Sequence, residues 1–570
     1  MAKVKVTDYI VQTLIEHNID TVFGYPGGSI CHLMDSLYNQ VPRIQVRINY
    51  HEQASAFAAC GYAQTSGKLA AVFATSGPGA TNLVTGIANA WYDSLPVLFL
   101  TGQVDTYALK SLLKPNIRQY GFQETDIISM VKSITKYSVQ ITSAQNIVDE
   151  LHKAIYIATT GRKGPVLLDL PADIQRAYIQ AIPQNQVPSN EPSSTSNFTT
   201  SVVHALSTAK RPVVLAGAGI NQCGLRDAFR TFVAQWQLPV LTSMPAVDLL
   251  AYDNPLHCGF IGVNGHRYAN MILAKSDCVL CLGTRLDLKQ IGLKRNFFTG
   301  APRVLRVDID PEELNYAVTG QETNFRVDLK KFLKTLNVLS PIINPQRSTW
   351  LSLTQDIKKQ LEFANDNEPI HAYLRKISSL IIPQITYTLD VGQNEGWAAQ
   401  SLMLKNNQKI IMSAGLGTMG YALPAAIGAY YATQNPVVAI VGDGGLQMNI
   451  QELQFIATYH LPITIILCNN ASLGMIRQFQ ENNFQARYFM TTAHTGYTVP
   501  NFEKVAQAYG LNYKRINNSR EITSVPLDNP NIIELKLSEI TYLQPSFGET
   551  LLYDQEPLLD RNLFNHIMRK

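Results

Sequence analysis

Asp443 and Asn470 are the residues whose types and setting point most directly to chemistry. Asp443 stands in Gly442-Asp443-Gly444-Gly445, directly after the apolar, β-branched run Val437 to Val441; Asn469-Asn470 closes a second such run, Ile463 to Cys468. Runs of this kind, bounded by glycine and polar breaks, read as buried parallel strands. Between them Leu446, Ile450, Leu453 and Ile456 share one face of a helical pattern. In a βαβ unit both strands deliver their carboxyl ends to one sheet edge, where open α/β proteins bind ligands. A carboxylate, an amide oxygen and nearby carbonyls suit Mg2+, which keeps few protein ligands and leaves the rest to phosphate and water. The glycines let backbone N–H groups approach that phosphate. The expected chemistry is a diphosphate held through a divalent cation. A lone Gly-Asp-Gly is more often a turn; its place between two buried strands gives it weight.

Glu52 is the second candidate. It follows the strand pattern Ile44 to Ile48 through Asn49-Tyr50-His51 and opens a helix of small residues running through Ala63. Without further context, a glutamate there is a favourable partner for the helix dipole. Two other strands end in similar loops: Thr21-Val22-Phe23 leads into Gly24-Tyr25-Pro26-Gly27-Gly28, with Ser29 expected as a helix N-cap, and Leu69 to Thr75 ends in Ser76-Gly77-Pro78-Gly79. RPVVLAGAGI at 211–220 is a strand entering Gly217-Ala218-Gly219, a weak nucleotide signal on its own. Cys278 and Cys281 have metal-ligand spacing, but their strand pattern sends the side chains to opposite faces and no second Cys or His pair accompanies them. They read as core.

These motifs resemble the acetolactate synthase family of thiamine diphosphate (ThDP) enzymes, and within it the acetolactate-synthase-like carboligases of branched-chain deoxysugar biosynthesis. The likeness covers nearly the whole chain. It is carried by NYHEQASAFAACGYAQTSGK, TSGPGATNLVTGIANAWYDSLPVLFLTGQV, GFQETD, GVNGHRYAN, CLGTRLDLKQIG, VLRVDIDPEEL, GLGTMGYALPAAIGA and the unit around Asp443. The resemblance implies that Asp443, the Asn470 side chain and the Ser472 carbonyl hold Mg2+. Glu52 would bond N1′ of the ThDP aminopyrimidine, favouring the imino form whose nitrogen removes the thiazolium proton. Gly27, Gly28, Gln393, Asn394, Gly417, Gly442, Gly444 and Gly445 would contact ThDP. Met419 would force its bent form, and Met475 would line the same pocket. Phe122, Gln123 and Lys136 would face the substrate. Gly217, Gly219, Gly283, Arg285 and Asp308 would contact FAD, bound but not a redox participant in the ligation. Pyruvate would lose CO2 and its two-carbon unit would pass to a carbonyl acceptor, in active sites between the chains of a homodimer or homotetramer.

The departures from biosynthetic acetolactate synthase gather on the acceptor side. Phe479 stands where the family has tryptophan, Lys289 where it has the arginine expected on the second substrate's carboxylate, Asn394 where it has histidine, and Val263-Asn264 where it has Met-His. Lysine exchanges a bidentate fork for a point charge. The tail from Gly548 resembles the ending of the deoxysugar carboligases. The expected acceptor is therefore a nucleotide-activated, CDP-type keto-deoxysugar, giving a branched-chain sugar. The alternative is acetolactate synthesis with pyruvate or 2-oxobutanoate as acceptor. Simple decarboxylation or oxidation is a further rival, as is a cofactor-binding relic, against which intact Glu52, Asp443 and Asn470 speak.

The elements that must place these residues alternate between strand and helix. The expected fold is α/β, with three doubly wound, mostly parallel-sheet domains: pyrimidine-binding at 1–185, central FAD-binding at 186–345, and diphosphate- and Mg-binding at 346–547, followed by a tail at 548–570. Polar, turn-rich stretches at 182–197 and 342–367 read as connections. The 570 residues are 46% hydrophobic and 16% charged with net charge +4, an ordinary globular balance. There is no Lys/Arg block or RNA-binding aromatic motif, so nucleic acid is not an expected partner. No apolar run approaches the roughly 18 residues of a membrane span, and charges among the first twenty residues argue against a signal peptide. Seven scattered cysteines fit a reducing compartment and hence a cytoplasmic location.

Overall fold

The computed structural model describes residues 3–110, 117–180, 198–292, 303–319, 322–364, 368–546 and 551–569. The first domain contains β1 (Lys3–Lys5), β2 (Thr21–Gly24), β3 (Gln45–Ile48), β4 (Ala70–Ala74), β5 (Val97–Gln103), β6 (Tyr137–Gln140), β7 (Val166–Pro171) and β8 (Tyr178–Gln180). Six of these form a parallel sheet in the order β3-β2-β4-β5-β7-β6, while β1 and β8 pair antiparallel with each other. The middle domain holds β9 (Pro212–Ala216), β10 (Val240–Thr242), β11 (His257–Phe260), β12 (Cys278–Leu282), β13 (Arg303–Asp308) and β14 (Glu322–Arg326), ordered β11-β10-β9-β12-β13-β14. The third holds β15 (Thr386–Leu389), β16 (Lys409–Met412), β17 (Val437–Gly442), β18 (Ile463–Asn469), β19 (Asn512–Ile516) and β20 (Asn531–Lys536), ordered β16-β15-β17-β18-β20-β19. The expected three parallel α/β domains are what the chain forms.

Helices cover both faces of each sheet, so β4, β5, β9, β12 and β18 are buried along their whole length, the usual condition of parallel strands. Cys278 and Cys281 pack into cores on opposite sides of β12, as their spacing predicts. The middle sheet runs three-two-one-four-five-six in chain order, the arrangement of dinucleotide-binding sheets, with its switch point between β9 and β12. The first and third sheets share another order, two-one-three-four-six-five.

The first and third domains fuse through one core. The helix Glu52–Ser66 lies against the helix Ala422–Thr433 so closely that a Cβ on Gly428 would stand 1.7 Å from the Ala58 carbonyl oxygen, and one on Gly61 would stand 2.3 Å from that of Ala425. The run of alanines and glycines that reads as a featureless small-residue helix is what this backbone approach requires.

Three elements of the fold depart from the sequence expectations. Ser29 caps no helix: a 3-10 turn, Gly28–Ile30, precedes the helix Cys31–Tyr38, and the Ser29 hydroxyl meets Thr75 Oγ1 at 2.9 Å and accepts from Ser76 N at 2.8 Å. It ties two site loops together. The helical pattern from Leu446 to Ile456 is split into Asp443–Met448 and Glu452–Thr458, because buried Asn449 donates its amide to Gly420 O at 2.8 Å and leaves helical geometry. The polar stretch 342–367 contains a 15-residue helix, Arg347–Leu361. Its Trp350, Leu353, Ile357 and Leu361 recur at three- and four-residue spacing and pack on the middle domain, with Trp350 Nε1 donating to Pro212 O at 2.9 Å. By packing, this helix belongs to the middle domain rather than after a boundary at 345/346. Leu552 and Ile567 of the tail join the same core. The connection expected at 182–197, with the boundary at 185/186, and the start of the tail at Gly548 lie outside the described residues.

Candidate active site

β17 and β18 are hydrogen-bonded neighbours with Gly442 opposite Cys468, which brings Asp443 and Asn470 to one edge. Asp443 Oδ2 accepts from the backbone of Asn470 at 3.1 Å and of Ala471 at 2.8 Å, and Oδ1 accepts from the Tyr497 hydroxyl at 2.6 Å. One terminal atom of the Asn470 amide stands 3.2 Å from Asp443 Oδ2 and 2.9 Å from the Ser472 carbonyl oxygen. As nitrogen it would donate to both. As oxygen it completes a trio of converging oxygens, and the amide nitrogen then donates to Gln393 Oε1 at 3.3 Å. Such a trio, with one carboxylate, one amide and one carbonyl, fits a hard divalent cation. Burial pushes the Asp443 carboxyl up to about 6 against the pull of the Tyr497, Ala471 and Asn470 hydrogen bonds, so a cation there would offset a costly charge.

The turns around this edge are held by buried Asp390, which accepts from Gly420 N and Ala422 N at 2.9 Å each and so fixes the turn bearing Met419. Gly445 is pressed against that same carboxyl, where a Cβ would come within 2.4 Å of Oδ1. Met419 Cε reaches within 3.1 Å of the Cβ position of Gly444, and Gly417 has a φ of 71°, a left-handed conformation suited to glycine. Asn394 donates to Asp390 O at 2.6 Å, and its Oδ1 lies 3.1 Å from where Gly442 would carry a Cβ.

A second cluster forms at the carboxyl edge of the first sheet. Glu52 is buried, 8% exposed, at the start of its helix; its Oε2 accepts from Asn82 Nδ2 at 2.9 Å and its Oε1 lies beside Gly79. Gly27 packs on Thr75, Gly77 on Gln123, and the space over Gly28 is open. Gly27, Gly28, Glu52 and Gln123 therefore gather here, with Phe122 beside them 86% exposed. Lys136 does not join them. It precedes β6 at the opposite edge of the sheet, and its amine is taken up by the carbonyls of Ile157 and of Thr160, the latter at 2.8 Å. Burial lowers it to about 8.

The third feature is a cavity of about 470 Å3 bordered by all three domains, within the usual range of cofactor sites. Gly219, Gly283, Arg285 and Asp308 line one end; Gly392, Glu395 and Met475 line the other. Gly217 lies just behind, where a Cβ would strike Gly283 O at 2.1 Å, so the ends of β9 and β12 meet backbone to backbone at the switch point. Neither Glu52 nor Asp443 lines this cavity. Phe479 lies one turn beyond Met475, 56% exposed, with its ring edge-on to Phe484.

Residues 4–130, 199–336 and 390–525 match, in turn, the N-terminal TPP binding domain, the central domain and the C-terminal TPP binding domain of the thiamine pyrophosphate enzymes. The acetolactate synthase large subunit of Lactococcus lactis is 35% identical over 563 residues, covering 96% of this chain and 95% of that protein. The acetolactate synthase isozyme 2 large subunit of Escherichia coli is 33% identical over 547 residues, covering 94% and 96%. The large subunit from Corynebacterium glutamicum is 34% identical over 527 residues, covering 90% and 82%. The chain belongs to the acetolactate synthase family. It is a ThDP-dependent, acetolactate synthase-like carboligase, ThDP and thiamine pyrophosphate being one compound.

Several residues of this family member escape a reading of motifs. Glu452, fully buried on the third domain, accepts from Asn49 Nδ2 at 2.9 Å and Tyr50 N at 2.8 Å, and so pins the loop that delivers Glu52. Tyr497 reaches Asp443 across 54 positions of sequence. Asp93 and Glu395 are buried carboxyls in the cavity wall, each pushed up by burial to about 7. Only Asp390, directly before Val391-Gly392-Gln393, had a sequence signal, a lone acid closing a strand. The others sit in helices or loops where an acid or tyrosine carries no local mark.

Proposed function

We propose that the chain decarboxylates pyruvate and transfers the two-carbon unit to a second carbonyl compound, with ThDP held through Mg2+ and FAD in the central domain. The observation that carries this reading is the trio of oxygens at the paired ends of β17 and β18. Asp443, Asn470 and Ser472 would hold the cation; Gln393, Asn394, Gly417, Gly442, Gly444 and Gly445 would surround the diphosphate, and Met419 would support the bent cofactor. When bound, ThDP supplies the electron sink that makes loss of CO2 possible. Glu52, with Gly27 and Gly28 nearby, would hold a proton at N1′ of the aminopyrimidine. Phe122, Gln123, Met475 and Phe479 would line the substrate and exclude water, while Lys136, at the far edge of the sheet, stands outside this set. The dinucleotide-type strand order, the close approach of Gly217 and Gly283, and Gly219, Arg285 and Asp308 in the cavity wall support FAD.

The exposed Phe122 beside Glu52, and the exposed Met475 and Phe479 beyond the cation site, support active sites shared between two chains of a homodimer or homotetramer. Among the described residues no helix is long and apolar enough to cross a membrane. All seven cysteines are free, which supports the cytoplasm as its compartment.

Two acceptors remain in view. The relatives are acetolactate synthases, which favours a 2-oxo acid. Lys289, Phe479, Asn394 and Val263-Asn264 on the acceptor side favour a nucleotide-activated keto-deoxysugar. The test is an incubation of the purified protein with pyruvate, ThDP and Mg2+, following CO2 and acetolactate with and without a CDP-linked 4-keto-3,6-dideoxyglucose. Rapid acetolactate formation that ignores the sugar makes the chain an acetolactate synthase; a two-carbon-extended sugar with slow acetolactate formation makes it a sugar carboligase. No CO2 release would overturn both.

A further inference from the structure

The helix Gln393–Ser401 follows Gly392, so Glu395 lies in its first turn. A carboxylate there ordinarily serves the helix dipole or bonds the free N–H groups of the turn. Glu395 does neither through a hydrogen bond: it is 5% exposed, its Oε1 is buried without a partner among the described residues, and it lines the cavity. Asp93 repeats the situation. It is 6% exposed in the same cavity wall; one oxygen accepts from Gly415 N at 2.8 Å, while Oδ2 is buried without a partner among the described residues. Two buried acceptors directed at one cavity call for donors from a ligand, since buried polar groups are otherwise bonded.

The position says which end of the reaction they serve. Glu395 is two residues from Gln393, which bonds Asn470, and Met475, in the same cavity wall, follows Gly474, which packs on both Gln393 and Asn470. Glu395 thus occupies the end of the cavity next to the cation site, while Asp93, whose carbonyl accepts from the Gln222 amide of the helix that starts at Gly219, lies between that end and the glycine cradle of β9 and β12. The charges that act on them are Lys289 on both, Arg285 on Asp93, and Asp390 and Asp93 on Glu395. A 2-oxo acid would bring a further carboxylate to this end, against two buried acids. A hydroxylated ketone or aldehyde would bring O–H donors that complete both.

We infer that Glu395, with Asp93, forms a subsite for the hydroxyl groups of a hydroxylated carbonyl acceptor that carries no carboxylate beside its carbonyl, and is a specificity-determining residue of the ligation. The inference rests on the carboligase reading and chooses between its two acceptors.

The test uses the full chain loaded with ThDP, Mg2+ and FAD, with pyruvate as donor and pyruvate or dihydroxyacetone as competing acceptors. The ratio of acetolactate to dihydroxyacetone-derived product is compared in wild type, Glu395→Gln and Glu395→Asp, a ratio that cancels any general loss of turnover. Glu395→Gln is expected to raise it about tenfold or more, by removing the like charge and weakening the hydroxyl contact; Glu395→Asp is expected to stay near wild type. Saturation-transfer NMR of dihydroxyacetone against the unloaded chain gives a second reading, with contact in wild type and its loss in Glu395→Gln. An unchanged ratio overturns the inference and leaves the carboligase reading standing. Absence of CO2 from wild type overturns that reading, and the NMR contrast then decides the subsite alone. Loss of FAD from Glu395→Gln with the ratio unchanged assigns the carboxyl to the flavin and overturns the inference too.

Discussion

The first and third domains are one sheet order used twice, packed through equivalent helices, yet they hold opposite chemistry. At the carboxyl edge of the first, the buried Glu52 carboxylate stands among small residues with the Phe122 ring exposed beside it. At the same edge of the third, the Asp443 carboxylate, the Asn470 side chain and the Ser472 carbonyl converge, the arrangement proposed to hold the cation. Strand order decided where a site is built; the loop after each strand decided what it does. The pairing also differs in completeness. The third domain assembles its oxygens within one chain, whereas the exposed Phe122 beside Glu52 is where the proposed second chain would add to the site.

The largest test of this contrast is Asp443→Ala, expected to lower CO2 release from pyruvate by about 10³-fold through loss of the cation's several kcal/mol, with Mg2+-dependent ThDP affinity, followed by fluorescence quenching, falling in parallel. If affinity held, the trio of oxygens would not be the cation site. Glu52→Gln should lower turnover by about 10²-fold while ThDP binding stays within a few-fold, because the diphosphate is held on the other domain. Near-native turnover at saturating ThDP would sink that assignment.

Glu452 links the two domains and offers a subtler break. Burial raises its carboxyl from 4.5 to about 7, so the stability it contributes is full below the ordinary glutamate range and is lost as pH rises through 7. Glu452→Gln keeps an acceptor for Tyr50 N and gives buried, unpartnered Asn49 Oδ1 a donor. Relative to wild type it should gain about 1–3 kcal/mol between pH 5 and 8 in urea melts; a pH-independent difference would mean the carboxyl stays charged throughout. The smallest effect on the fold is expected of Phe122→Ala, within about 0.5 kcal/mol for so exposed a ring. Its dimer Kd, measured by sedimentation equilibrium, should nevertheless rise about tenfold; an unchanged Kd removes Phe122 from the interface.

How much was legible depended on whether a feature is local. Strands β17 and β18 and the pair Asp443 and Asn470 were readable because buried strands announce themselves as apolar runs and a βαβ unit forces their ends together. The glycines of β9 and β12 were readable for the same reason. The helix Arg347–Leu361 was missed because its polar majority hid four apolar residues at helical spacing, and the break at Asn449 was missed because Gly420, its partner, lies 29 positions away. Lys136 was grouped with Glu52 by resemblance, but the chain turns between them carry it to the far edge of the sheet.

By itself, then, the amino-acid order determined the three parallel sheets, the motif residues at their carboxyl edges and the family to which they belong, since each is encoded in a short stretch whose periodicity and turns act within a few residues. Tertiary structure alone decided which buried acids matter. Glu452 became a support for Glu52, Asp390 a brace for Met419, and Glu395 and Asp93 acceptors in a cavity, because burial and hydrogen-bond partners are set by neighbours from distant parts of the chain.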